Sequence, residues 1–165
     1  MLGRAKSLCT HNVAHAAQYD DVAICSINIL NFDKWCLGKS SMTILEVLIQ
    51  YNMFVSKLVD KTPGIEKVGL ERETILIVGG MDTECDETRN LLFVGILINI
   101  CLELIENDTN IKKMFKDETL SLQIGLHRGT VYRDLLNYPK KIKLFGEDLF
   151  VAAYLDSVCQ RNSIN

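Results

Sequence analysis

The order of apolar segments along this chain predicts an α+β fold: a ferredoxin-like βαββαβ core with an added hairpin and a C-terminal helix. Three observations carry the prediction. The run Val22 to Leu30 is almost wholly apolar and rich in β-branched residues, as a central strand buried on both faces should be. Ile65 to Leu70 and Thr74 to Val78 read as two strands around the tight charged turn Glu71-Arg72-Glu73. Apolar residues at helical intervals fill the segments on either side of that hairpin, and a further alternating strand follows the second of them.

Taken in order, residues 1–19 carry an irregular apolar pattern and are expected to form a leading helix or linker, with the domain proper spanning 20–165. Asn31 to Ser41, with Gly38 and two serines, reads as a loop. Thr43-Ile44-Leu45-Glu46 has the spacing of a capping box, and Leu45, Leu48, Ile49, Met53, Val55, Leu58 and Val59 recur at helical intervals after it. Thr62-Pro63-Gly64 ends that helix, and Gly79-Gly80 ends the hairpin. Met81 to Thr88 reads as an acidic loop, Arg89 to Glu106 as a buried helix, and Asn107 to Glu118 as a polar loop with at most a helical turn. Leu120 to Leu126 alternates as a strand, His127-Arg128-Gly129 turns it, and weaker strands follow at Thr130 to Tyr132 and Lys141 to Phe145. Glu147 to Gln160 is helical, with Leu149, Ala152, Ala153 and Leu155 toward the core.

A length of 165 residues suggests one domain, and 48% hydrophobic with 24% charged residues is a globular composition. The net charge of −3, from 21 acids against 18 bases, argues against a nucleic-acid partner. The short cluster Lys140, Lys141 and Lys143 reads as a solvated strand end. Six cysteines (Cys9, Cys25, Cys36, Cys85, Cys101 and Cys159) form no CxxC pair and no zinc spacing, which fits a reducing compartment. Cys25 and Cys101 lie inside apolar runs and read as core residues. His11 and His15, four apart, could pair on a metal, but read more simply as solvated histidines. The longest apolar stretch, Leu91 to Ile105, contains Asn99 and Glu103 and is too short for a bilayer span, so no membrane segment is expected. The expected location is the cytoplasm, in isolation or as the cytosolic part of a larger membrane protein.

Four blocks narrow this further. Val22 to Phe32 followed by Asp33 resembles the first-strand pattern F-x-D-I-x-G-F-T of class III adenylyl and guanylyl cyclases. Lys67 to Gly80 resembles their hairpin, K-[IV]-x-x-x-G-D-x-x-x-x-x-x-G. Leu122 to Gly129, LQIGLHRG, is similar to L-R-I-G-I-H-x-G, and Leu144-Phe145-Gly146 with the following helix is similar to L-F-G-D-x-V-N-x-A-x-R. The blocks stand in family order and cover roughly residues 20 to 158.

The resemblance implies a two-domain site for attack of a ribose 3′-oxygen on the α-phosphate, with two Mg²⁺ or Mn²⁺ ions clamping the attacking and leaving oxygens. It places the two metal aspartates at Asn28 and Glu73 (the hairpin G-D falls on Arg72-Glu73). The two purine-reading positions fall on Gly69 and Lys143. The ribose-positioning asparagine falls on Phe150, and the phosphate-stabilising arginine on Tyr154. Only Glu73 keeps comparable charge. Lys67 matches a family lysine without direct chemistry. Gly125, His127, Gly129 and Gly146 match the scaffold, and His127 reads as structural rather than as a general base. The family continues beyond the late helix with further strands, and Ser163-Ile164-Asn165 falls about where the next should begin, so the domain is expected to be incomplete at its C-terminus.

The expectation is therefore a degenerate cyclase-homology domain, needing no cofactor alone. It would act as the structural or regulatory half of a homo- or heterodimer with a second cyclase domain, with a nucleoside triphosphate as a further possible ligand. Two alternatives stand beside it. One is an active or half-active subunit converting GTP or ATP to cyclic nucleotide and pyrophosphate. The other is a non-catalytic ferredoxin-like interaction module.

Overall fold

A computed structural model of the chain describes residues 7–8, 16–81, 87–134 and 143–165. Its spine is a pair of antiparallel strands, β2 (Ala16–Leu30) and β5 (Ser121–Asp134), in continuous register from Val22↔Gly129 to Leu30↔Ser121. The hairpin β3 (Ile65–Glu71) and β4 (Thr74–Gly79) joins the free side of β2, and β6 (Lys143–Phe145) joins β5. The strand order is β3-β4-β2-β5-β6, so the first and last strands of the βαββαβ unit pair at the centre. Two short strands complete the sheet: β1 (Ser7–Leu8) on β2, and β7 (Ser163–Ile164) parallel to β5. The sheet curls enough for Arg133 on β5 to reach Glu66 on β3, Nη1 to Oε1 at 3.4 Å.

The lack of alternation in β2 has a simple cause, because both faces are covered. Ala23, Cys25, Ile27 and Ile29 point into the larger core, under the helices α2 (Ser41–Val59), α3 (Glu87–Glu106) and α4 (Asp108–Phe115). Val22 and Ile24 point the other way and pack with Val78, Val131 and Ala152 beneath α5 (Glu147–Val158). Each fully buried aliphatic side chain contributes about 1.5–3 kcal/mol by leaving water. Cys25 and Cys101 are both buried, as expected, with their sulfurs 3.4 Å apart.

Several expectations need correction. Ser7–Leu8 and Ala16–Gln18 are strand rather than part of a leading helix, because their backbone pairs within the sheet. His11, His15, Cys9, Cys85, Lys140 and Lys141 lie outside the described residues. Residues 127–129 do not turn the chain; they stay in β5, each opposite a residue of β2, and the two predicted strands are one. The predicted loop after β2 contains a short helix, α1 (Phe32–Cys36), and the polar segment after α3 forms α4. Aromatic packing explains both. Phe32, Trp35, Tyr51 and Phe115 form one cluster, with Trp35 and Phe115 centroids 5.0 Å apart and Trp35 Nε1 donating to Phe115 O at 2.8 Å.

Helix α2 starts earlier than predicted, capped by Ser40, whose Oγ accepts from the Thr43 N–H at 3.1 Å. Its apolar residues divide: Tyr51, Val55, Leu58 and Val59 are buried, whereas Leu45, Ile49 and Met53 are exposed. By length and composition α2 could span a bilayer, yet its C-terminal half is part of the core. Within α5, Ala152 is buried and Leu149 and Leu155 half-buried, but Ala153 is exposed.

Candidate active site and its two halves

The cleft starts at one end of the sheet, where two turns lie side by side. The register Ile27↔Ile75 brings the end of β2, with Asn28, beside the start of β4, which follows Glu73. Both turns use left-handed backbone where the resembling patterns have glycine: Asn31 has φ 68° and Arg72 has φ 56°. Asn tolerates this region; for arginine it is a strained conformation. The aromatic cluster holds α1 down on the core and so fixes the first turn. Lys67, further back on the hairpin, ties β3 to α2: its ammonium donates to Asn52 Oδ1 at 2.7 Å and to Ser56 Oγ. Desolvation there holds the Lys67 pKa below its usual value.

The polar groups of the cleft are already engaged with one another. Asn28 Oδ1 accepts from the Ile29 N–H at 2.8 Å. Arg72 Nη2 lies 2.6 Å from Asp33 Oδ1 across the two turns, and Arg72 Nε is 3.6 Å from Glu73 Oε2. The Glu73 side chain is only 14% exposed, and its Oε2 is buried without a hydrogen-bond partner. These donors do not fit a pair of hard divalent cations. Such ions need several anionic oxygens, and here both carboxylates, Asp33 and Glu73, face a guanidinium and the remaining group is a neutral carboxamide.

The purine positions lie on the two edge strands, Gly69 on β3 at a register irregularity and Lys143 on β6 opposite Asp134; both are exposed. Phe150 and Tyr154 are 76% and 65% exposed on the outer face of α5, and Val158, 52% exposed, continues their stripe by one turn. Asn28 and Glu73 are thus brought together, whereas Phe150 and Tyr154 face away from the domain. A cleft of about 310 Å³, lined by Ala23, Val94, Leu97, Leu126, His127 and Arg128, touches none of these positions.

The inner face of α5 is built very differently. A Cβ on Gly125 would lie 2.1 Å from Ala152 O and 2.5 Å from Asp156 N, so helix and strand backbones touch only because this residue has no side chain. Gly146 caps α5 at φ 148°. Asp148, in the first turn, accepts from the Thr130 N–H at 2.6 Å and pairs with His127 Nε2 at 2.7 Å. Hydrogen bonds from His127 and Thr130 hold its carboxyl below the usual range. His127 therefore orients a helix start, in line with a structural role. In the last turn of the helix, the buried Asp156 accepts from Ser26 Oγ, and desolvation pushes its pKa up. Neither Asp148 nor Asp156 was signalled by sequence, since their partners lie 21 and 130 residues away. The Asp33–Arg72 pair was equally hidden, although both charges bordered blocks already singled out.

A curled antiparallel sheet with helices on both faces is the class III cyclase catalytic-domain fold. The sequence matches the family described as the adenylate and guanylate cyclase catalytic domain over residues 14–165, and the chain belongs to that family. It is 27% identical over 143 residues to the soluble guanylate cyclase gcy-31 of Caenorhabditis elegans, covering 85% of this chain and 19% of that protein. The chain thus spans about a fifth of that relative's length. Among solved structures, it is similar to a dimeric guanylyl cyclase domain of the RhoGC fusion protein from Blastocladiella emersonii, with a TM-score of 0.77 at 20% identity over 92% of this chain and 81% of that one. The guanylate cyclase domain of RhGC from Catenaria anguillulae in complex with GTP gives a TM-score of 0.74 at 21% identity, over 89% and 78% of the chains. The adenylyl cyclase CyaB from P. aeruginosa gives 0.69 at 13%, over 90% and 76%.

Proposed function

We propose that this chain is the structural or regulatory half of a cyclase dimer: it packs against a second class III cyclase domain and does not turn over nucleotide by itself. The observation that carries this reading is the outward stripe Phe150, Tyr154 and Val158 on α5, at 76%, 65% and 52% exposure. The first two stand at the positions that the resemblance assigns to groups facing the ribose and phosphates across a dimer interface. Phe150 has no hydrogen-bonding group to offer a ribose hydroxyl and Tyr154 has no positive charge to set against a phosphate, whereas both rings suit burial against another protein surface. The cleft supports the same reading, because its two carboxylates, Asp33 and Glu73, both face the Arg72 guanidinium and its third group, Asn28, is neutral. A nucleoside triphosphate reaching the shared interface would rely on cations held by the partner's carboxylates. We place the chain in the cytoplasm, where Cys25 and Cys101 remain thiols.

Sedimentation velocity of the chain with a competent class III cyclase domain tests the reading, together with cyclic nucleotide production by the mixture. A mixed dimer is expected, weakened at least about tenfold by Tyr154→Glu or Phe150→Glu at the buried centre of the contact. A competent domain that is equally dimeric and equally active with and without this chain would overturn the proposal. Association of the chain only with itself would narrow it to a homodimer.

A further inference from the structure

The β2–α1 and β3–β4 turns carry a cation of their own. Arg72 sits in the turn with φ 56°, a conformation that glycine adopts freely and arginine does not, so its side chain is held at this spot at a conformational cost. From there its guanidinium spans two carboxylates of different elements: Asp33 at 2.6 Å, on α1, and Glu73 at 3.6 Å, in the hairpin turn. Glu73 is mostly buried and its Oε2 has no hydrogen-bond partner, so that charge has the adjacent guanidinium as its compensation. A buried carboxylate needs such a partner or a cation. Asn28, the other group facing the cleft, is neutral and bonded to the backbone next to it.

We infer that Arg72 is the resident counter-ion of this cleft, a tethered positive charge that balances Glu73, ties the two turns together and keeps divalent cations out. The inference deepens the reading of the chain as a non-catalysing half and rests on it. A guanidinium repels Mg²⁺ or Mn²⁺ at close range, and it cannot leave when nucleotide arrives. The cleft then holds one shape whatever the metal concentration, which suits a surface whose task is packing rather than turnover.

The test is a Mn²⁺ titration of the full chain followed by electron paramagnetic resonance, which separates free from bound ion. Wild type is expected to leave Mn²⁺ free up to about 1 mM, the weak end of protein sites for hard divalent ions. Arg72→Gly, which also suits the backbone, should bind at least about tenfold more tightly, the scale on which groups adjoining a metal site change its affinity. Arg72→Gln supplies the same readout should the glycine variant fold poorly. Arg72→Lys should behave as wild type, and adding Glu73→Gln to Arg72→Gln should abolish the gain. Saturable binding by wild type below 1 mM, or no gain in either neutral variant, overturns the inference. Sedimentation of the same samples with a competent cyclase domain separates the two proposals. Pairing that persists while wild type binds Mn²⁺ sinks only the resident-cation inference; lost pairing with Mn²⁺ still free sinks only the partner reading.

Discussion

The two faces of α5 belong to one short helix and follow opposite rules. Its inner face meets β5 through Gly125, Gly129, Asp148 and Asp156, with backbone against backbone and every carboxylate bonded. Its outer face leaves Phe150, Tyr154 and Val158 exposed among the described residues. The inner face closes the helix onto the sheet by direct backbone contact, whereas the outer face presents apolar area. Fold and site thus place separate demands on one helix.

This contrast can be broken from its tightest point outward. Gly125→Ala forces a methyl group into the Ala152 carbonyl, 2.1 Å away on backbone that cannot swing aside. It should cost about 3 kcal/mol or prevent folding, as read by chemical unfolding. Gly129→Ala meets the Asp148 side chain instead, and that side chain can rotate. The loss should be smaller, about 1–2 kcal/mol, representing the released bonds to His127 and Thr130.

The two carboxylates of the inner face should respond to pH with opposite signs. Asp148 is held below its unfolded value, so its stabilisation is complete above about pH 4 and fades as pH falls through the lower folded value. The deficit of Asp148→Asn should therefore shrink on acidification. Asp156 is raised, so its favourable contribution is complete below about pH 4 and is lost as pH climbs through the higher folded value. Asp156→Asn keeps an oxygen for Ser26 and should gain on wild type between pH 4 and 7. Denaturation midpoints across pH measure both; parallel slopes for the two variants would contradict the assignment. On the outer face, Phe150→Asn with Tyr154→Arg should change monomer stability by no more than about 0.5 kcal/mol, because neither side chain is packed within the domain.

Legibility followed the range of the interactions. The βαββαβ order was readable from β2, the hairpin and the helical periodicity, because each is a local pattern. The Glu71-Arg72-Glu73 turn was visible in the sequence and is where the chain reverses. Residues 127–129 were misread because a glycine after two polar residues resembles a turn, and only pairing with Val22, Ala23 and Ile24 keeps them extended. Helix α1 escaped notice and α4 was read as at most a single turn because their apolar residues number so few, and Phe32, Trp35 and Phe115 become a cluster only in space. For the cleft, position alone could be inferred. That Glu73 faces an arginine, and that this arginine reaches Asp33, depends on two turns far apart in sequence.

The account stands or falls on whether this chain catalyses by itself. The direct measurement is cyclic nucleotide formation by the purified chain with Mn²⁺ and either GTP or ATP, alongside Glu73→Gln. The account predicts no product above the level of that variant with either nucleotide. Turnover by the chain alone that disappears in Glu73→Gln would contradict it.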